Sequence, residues 1–182
     1  MMYAALLRGI NVGGKNKVDM LSLKEIVEAE GMTKVETYLN TGNVIFSHDG
    51  KPVHTITQRL ETVINDAFGL KLKLLIRSLP DMSTIIEALP DSWQNNQDMK
   101  SDVLFPWESI DDASILDQLP VHPEVDSVVY VPGAVLWSAD RKNVKKSGLS
   151  KLAGTKWYKQ MTIRNVNITR KIYKMMVQAE NN

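Results

Sequence analysis

Residues 2–8 form a short apolar run that reads as a buried strand. A glycine-rich loop follows. Ser22-Leu-Lys-Glu25 then fits a capping box, opening a helix with Leu23, Ile26 and Val27 inward and Gly31 at its end. Residues 35–39 and 44–47 read as two strands around Asn40-Thr41-Gly42-Asn43, a hairpin turn. Ile56, Leu60, Val63, Ile64, Ala67 and Phe68 recur at helical spacing until Gly69. Leu70, Leu72, Leu74 and Ile76 alternate with Lys71, Lys73 and Leu75, as in a strand with one buried face. The order is βαββαβ.

The pattern then repeats. Residues 78–101 connect, with a short helix burying Met82, Ile85, Ile86 and Leu89 before a polar loop. Residues 103–105 read as a strand, 110–119 as a helix, and 125–131 and 134–138 as strands joined through Pro132-Gly133. Residues 148–158 predict a short helix and 161–164 a last strand. A terminal helix places Ile168, Ile172, Met175, Met176 and Ala179 on one stripe. The expected fold is α+β: two ferredoxin-like (βαββαβ) halves in tandem plus a C-terminal helix. The expected division is an N-terminal unit over 1–77, a connector over 78–101, and a C-terminal unit with the terminal helix over 102–182.

Composition narrows the class. A chain of 182 residues suits one sizeable domain or two small ones. Without cysteine it forms no disulfide and no thiolate metal site. No leader pattern or membrane-length apolar run is present, so the expectation is a soluble, cytoplasmic protein with no membrane partner. The net charge of +1 hides a segregation: between residues 81 and 126 the acids face Lys100 alone, while residues 141–174 contain cations and no acid. The two segments either neutralise each other or leave a basic face for nucleic acid.

The loop Gly9-Ile-Asn-Val-Gly-Gly-Lys15 matches G-x-x-x-x-G-K, the start of a phosphate-cradling P-loop. The NTPase reading fails at the next position. Asn16 stands where the chemistry requires a Ser or Thr hydroxyl for Mg²⁺, and a helix capped at Ser22 starts too late to aim its dipole at the lysine turn. An anion-binding turn survives, because Gly9, Gly13 and Gly14 allow positive φ, Arg8, Lys15 and Lys17 supply charge, and Asn11 and Asn16 supply amides. The topology brings Thr41 and Asn43 to the same sheet end. Both turns are otherwise explained by geometry alone.

Further candidates are Ser150 and Lys151 in "SGLSKL", and Arg164 with Asn165 ahead of the terminal helix, where Asn165 or Asn167 is equally an N-cap. Ser47, His48 and Asp49 are sequence neighbours, and adjacency does not make a triad. His48, Asp49 and His54 lack metal-ligand spacing, so no metal is assigned. No catalytic constellation or cofactor emerges, and an enzyme of unidentified reaction stays open beside the two binding readings. Tyr3 and Phe46 lie on the strands that display aromatics in RNA-binding sheets, without the aromatic-rich motif of those sheets.

The stretches "YAALLRGINVGGKNKVDM", "YLNTGNVIF", "FGLKLKLLIRS", "SGLSKL" and "TIRNVNITRKI", in this order, resemble a widespread bacterial family, domain of unknown function 1697. The resemblance covers essentially the whole chain. It implies a two-part α+β protein and carries no activity or catalytic residue. Thr41-Gly42-Asn43 stands where that family often has S-G-N, which keeps a hydroxyl.

Overall fold

A computed structural model describes Met1–Asn182. The first half runs β1 (Met2–Leu7), α1 (Met20–Ala29), β2 (Thr33–Tyr38), β3 (Asn43–Ser47), α2 (Val53–Phe68) and β4 (Leu74–Ser78). After α3 (Leu79–Ala88) come β5 (Met99–Pro106), β6 (Asp126–Val131), β7 (Ala134–Asp140), α4 (Leu149–Leu152), β8 (Met161–Asn165) and α5 (Val166–Asn181). The strands make two four-stranded antiparallel sheets, ordered β2-β3-β1-β4 and β6-β7-β5-β8. The protein is therefore α+β. Met1–Leu79 with Ile172–Asn182 forms one compact unit, and Pro80–Lys171 forms the other.

In the first unit β1 lies centrally, and every one of its residues is buried. Tyr3, Ala5 and Leu7 join Val44, Phe46, Leu74 and Ile76 in one core with Leu23 and Val27 of α1 and Ile56, Leu60 and Ile64 of α2. Alternation along the strands and the 3.6-residue stripe of the helices thus meet in one layer. Tyr3 and Phe46 stack at 5.6 Å inside this core and present no ring for a base. In the second unit Leu104, Val135, Trp137, Ile115, Leu152 and Met161 make the equivalent core.

Several elements depart from the sequence expectation. α1 begins at Met20, not after Ser22, because the Asp19 carboxylate accepts both the Ser22 amide and its hydroxyl at 2.8 Å. With Asp19 as the N-cap, its carboxylate at the positive end of the helix, the helix starts ahead of Ser22. β4 begins only at Leu74. Asn65 takes the Leu72 amide at 2.8 Å and holds Leu70–Leu72 off the ladder. The helix expected over 110–119 is two 3-10 segments, Glu108–Ile110 and Ala113–Asp117. Asp112 caps the second through Ser114, and Asp111 turns away to accept from Tyr130 Oη and the Gly133 amide. Asp111 bonded outside the segment and Asp112 capping a new turn together break the helix there. No helix is long and apolar enough to cross a membrane.

Candidate functional site

The loop between β1 and α1 is a small hairpin of its own. Val12 bridges Lys15, and Gly13 and Gly14 turn between them with φ of 59° and 73°. Positive φ at both central residues is what a two-residue hairpin turn needs, and glycine is the residue that adopts it without strain. Asn11 and Asn16 flank the turn, also at positive φ, where asparagine is the tolerated alternative.

Both asparagines are spent on holding this shape. Asn11 donates to Val18 O at 2.9 Å and Asn40 O at 2.8 Å, and its Oδ1 accepts the Val18 amide at 2.9 Å. Asn16 donates to Gly9 O at 2.9 Å. The Leu7 amide reaches Gly42 O at 2.8 Å, so the loop is docked onto the turn between β2 and β3. Asn43 is fully buried, and its amide closes that turn through Tyr38 O at 2.7 Å and Thr41 Oγ1 at 3.3 Å. Thr41 stays exposed, and Arg8 is half-buried at the root of the loop.

Beyond this scaffold, Gly13, Gly14, Lys15 and Lys17 are exposed. The amides of Gly13 and Gly14 donate to no protein acceptor, whereas those of Asn11 and Lys15 are used inside the hairpin. An open depression of about 540 Å³ lies alongside, lined by Asn11, Gly14, Lys17, Val18, Asp19, Met20, Leu21 and Asn40. Its one cation is Lys17. The P-loop spacing points to Lys15 instead, and the Gly-Gly pair, a hairpin signal, is the feature that betrays the loop's real conformation. Asp19 lines the same depression, but the Ser22 amide and hydroxyl hold its carboxyl below the usual carboxylate range. The N-terminus of α1 is thus already occupied by the protein's own anion.

The remaining candidates belong to the other unit. Ser150 donates to Ser147 O at 2.7 Å, and Lys151 is exposed beside it. Asn165 Oδ1 accepts the Ile168 amide at 2.9 Å and so caps α5. Arg164 is buried and donates to Thr162 Oγ1 at 3.0 Å and Ile163 O at 2.8 Å. Burial pushes its guanidinium down to about 10, which leaves it charged at neutral pH. In the first unit, His48 lines a smaller recess of about 350 Å³ with Lys51, Thr55 and the Arg59–Glu30 ion pair. Asp49 is not among the residues that line it and pairs with the terminal amine at 3.1 Å.

Asn11→Ala tests how firmly the loop is held. It removes three hydrogen bonds and puts alanine at positive φ, so stability should fall by about 2 kcal/mol. Hydrogen exchange should quicken at Val18, whose amide loses its acceptor, and at position 11, whose amide donates to Asn16 O. Unchanged protection of the Val18 amide would contradict the clamp.

Over residues 1–137 the chain matches the family described as Protein of unknown function (DUF1697), and it belongs to that family. It is similar to a solved structure of a conserved bacterial protein from Streptococcus pneumoniae, at 29% identity and a TM-score of 0.83, covering 96% of this chain and 98% of that one. No curated protein matches.

Proposed function

We propose that the protein binds a small anionic, phosphate-bearing ligand where the β1–α1 loop meets the β2–β3 turn. The observation that carries this reading is the pair of exposed amides at Gly13 and Gly14, bonded to no protein acceptor and held at positive φ, beside a depression whose cation is Lys17. Phosphate oxygens would accept from these amides and from Lys15 and Lys17, as anions do in backbone nests. Met20 and Leu21 offer an apolar wall for the body of the ligand. Because Asp19 also lines the depression, the ligand's charge belongs by the Gly13 and Gly14 amides and Lys17. The proposal is one of binding, since Asn16 supplies no hydroxyl for a magnesium ion.

We also propose that each half is a ferredoxin-like βαββαβ unit in tandem, over 1–77 and 102–182, the second carrying the terminal helix. The shared strand order supports this, with the helices of the second half reduced to 3-10 segments and the one-turn α4.

A melting-temperature panel of phosphate-bearing metabolites tests the binding proposal. A ligand at a hundred times its Kd adds about 2.7 kcal/mol. For a chain of this length that is a rise of roughly 5–10 °C. The rise should vanish in Lys15→Ala/Lys17→Ala, both exposed positions whose loss leaves the fold intact. A rise that survives the double substitution, or no rise with any member, contradicts it.

A further inference from the structure

The second unit carries a cationic surface that its own acids do not neutralise. Between β7 and β8, residues 141–160 fold into a 3-10 turn, α4 and a second 3-10 segment. Leu149, Leu152 and Trp157 turn into the core, and Ser147 and Gly148 are buried. Lys142, Lys145, Lys146, Lys151, Lys156 and Lys159 are all exposed. One of the six has a carboxylate near it, Lys142 with Asp140 at 3.8 Å. Meanwhile several acids of residues 81–126 have structural work. Asp102 pairs with Lys100 at 2.9 Å, Asp111 and Asp112 fasten turns, and Asp126 accepts from Ser147 and Gly148. Lys145, Lys146, Lys151, Lys156 and Lys159 are thus exposed with no carboxylate paired to them, so ion pairing does not cancel the segregation seen in sequence.

Aromatic rings lie within this surface. Tyr158 is 38% exposed, and Lys156 sits over the half-buried Trp157 ring at 4.6 Å. Lysines that track phosphates, interleaved with an aromatic face open to solvent, are the combination that single strands use. Duplex binding needs no ring, and an acidic protein or an anionic membrane would use the lysines alone.

We propose that the β7–β8 connection binds single-stranded nucleic acid, with phosphates on Lys145, Lys146, Lys151 and Lys159 and a base stacked on Tyr158. The connection is fixed to the core through Asp126, so the lysines are presented on a settled scaffold. This surface is independent of the glycine loop, and either proposal stands if the other fails.

Fluorescence anisotropy of the full chain with a labelled single-stranded oligothymidine of about 20 nucleotides, titrated from about 20 to 200 mM salt, reads the proposal directly. Affinity should fall steeply with salt, and each lysine removed from Lys145, Lys146 or Lys159 should flatten the logarithmic slope by about 0.7. Tyr158→Ala should weaken binding about tenfold at constant salt slope. Lys15→Ala/Lys17→Ala, as the control, should leave it unchanged, and melting curves confirm that each exposed variant folds. No binding at low salt overturns the proposal, as does a Tyr158→Ala protein with full affinity. Tighter binding to vesicles rich in phosphatidylserine than to the oligonucleotide, unaffected by Tyr158→Ala, also overturns it and assigns the lysines to a membrane.

Discussion

Gly148→Ala is expected to be among the most damaging single-methyl additions to this protein. A Cβ at that position would lie 1.9 Å from the Pro120 carbonyl oxygen and 2.8 Å from the Trp137 ring. Its φ of −62° is ordinary for any residue, so the glycine is there for space and not for conformation. Backbone forms the near wall and the fully buried Trp137 the other, so neither yields cheaply. Overpacking of this kind costs about 3 kcal/mol or more. Thermal unfolding should drop by roughly 6–12 °C. Gly154→Ala is the matched control, because its nearest neighbour, Lys151 O, stands 3.5 Å away. That variant should melt within a few degrees of the parent. Equal melting of the two variants would refute the steric account.

Asp126→Ala should cost a similar amount for a different reason. The buried carboxylate accepts from Ser147 Oγ, from the Gly148 amide at 2.8 Å and from the His122 amide at 2.8 Å. Removing it leaves three donors, and each buried orphan costs about 1–3 kcal/mol, so about 3 kcal/mol or more is at stake. The pH dependence identifies the group. Burial alone would raise its pKa, but Ser147, His122, Gly148 and the nearby Trp137 indole outweigh burial and hold it below the ordinary value. A carboxyl depressed in the folded state adds stability that is fully present above the unfolded pKa of about 4 and is lost as pH falls through the folded value. The parent should therefore lose more stability than Asp126→Asn between about pH 6 and pH 3. Parallel curves for the two proteins would show that Asp126 is not the acid-sensitive hub.

Sequence periodicity located what depends on periodicity. The six strands and helices of the first half follow from alternation and the 3.6-residue stripe, and Gly69 ends α2 in the left-handed conformation that its position suggested. Boundaries that depend on a particular side chain were less legible. Asp19 and Asn65 each displaced an element by capturing one amide, and Asp111 and Asp112 converted an apolar stripe into two 3-10 turns. The same limit applies at the site. Asn11, Asn16 and Asn43 read as ligand amides in sequence, yet Asn16 and Asn43 each donate to a backbone carbonyl of their own turn, and Asn11 donates to Asn40 O, a partner set by the tertiary approach of two loops. The glycines and lysines of the loop were legible because their exposure follows from turn chemistry. The Asp126 hub lies between residues 21 positions apart and left no local signal.

The proposed anion site on the glycine loop is tested most directly by amide chemical shifts of the full-length ¹⁵N-labelled protein titrated with inorganic phosphate and with a phosphate-bearing metabolite. The Gly13 and Gly14 amides should move downfield and saturate together, with Lys17 following and the clamped Asn11 amide moving least. Saturation should disappear in Lys15→Ala/Lys17→Ala while the glycine resonances keep their starting positions. Glycine amides that stay fixed to the highest phosphate concentration, whether or not resonances elsewhere respond, would contradict the site and leave the loop as scaffolding for the β2–β3 turn.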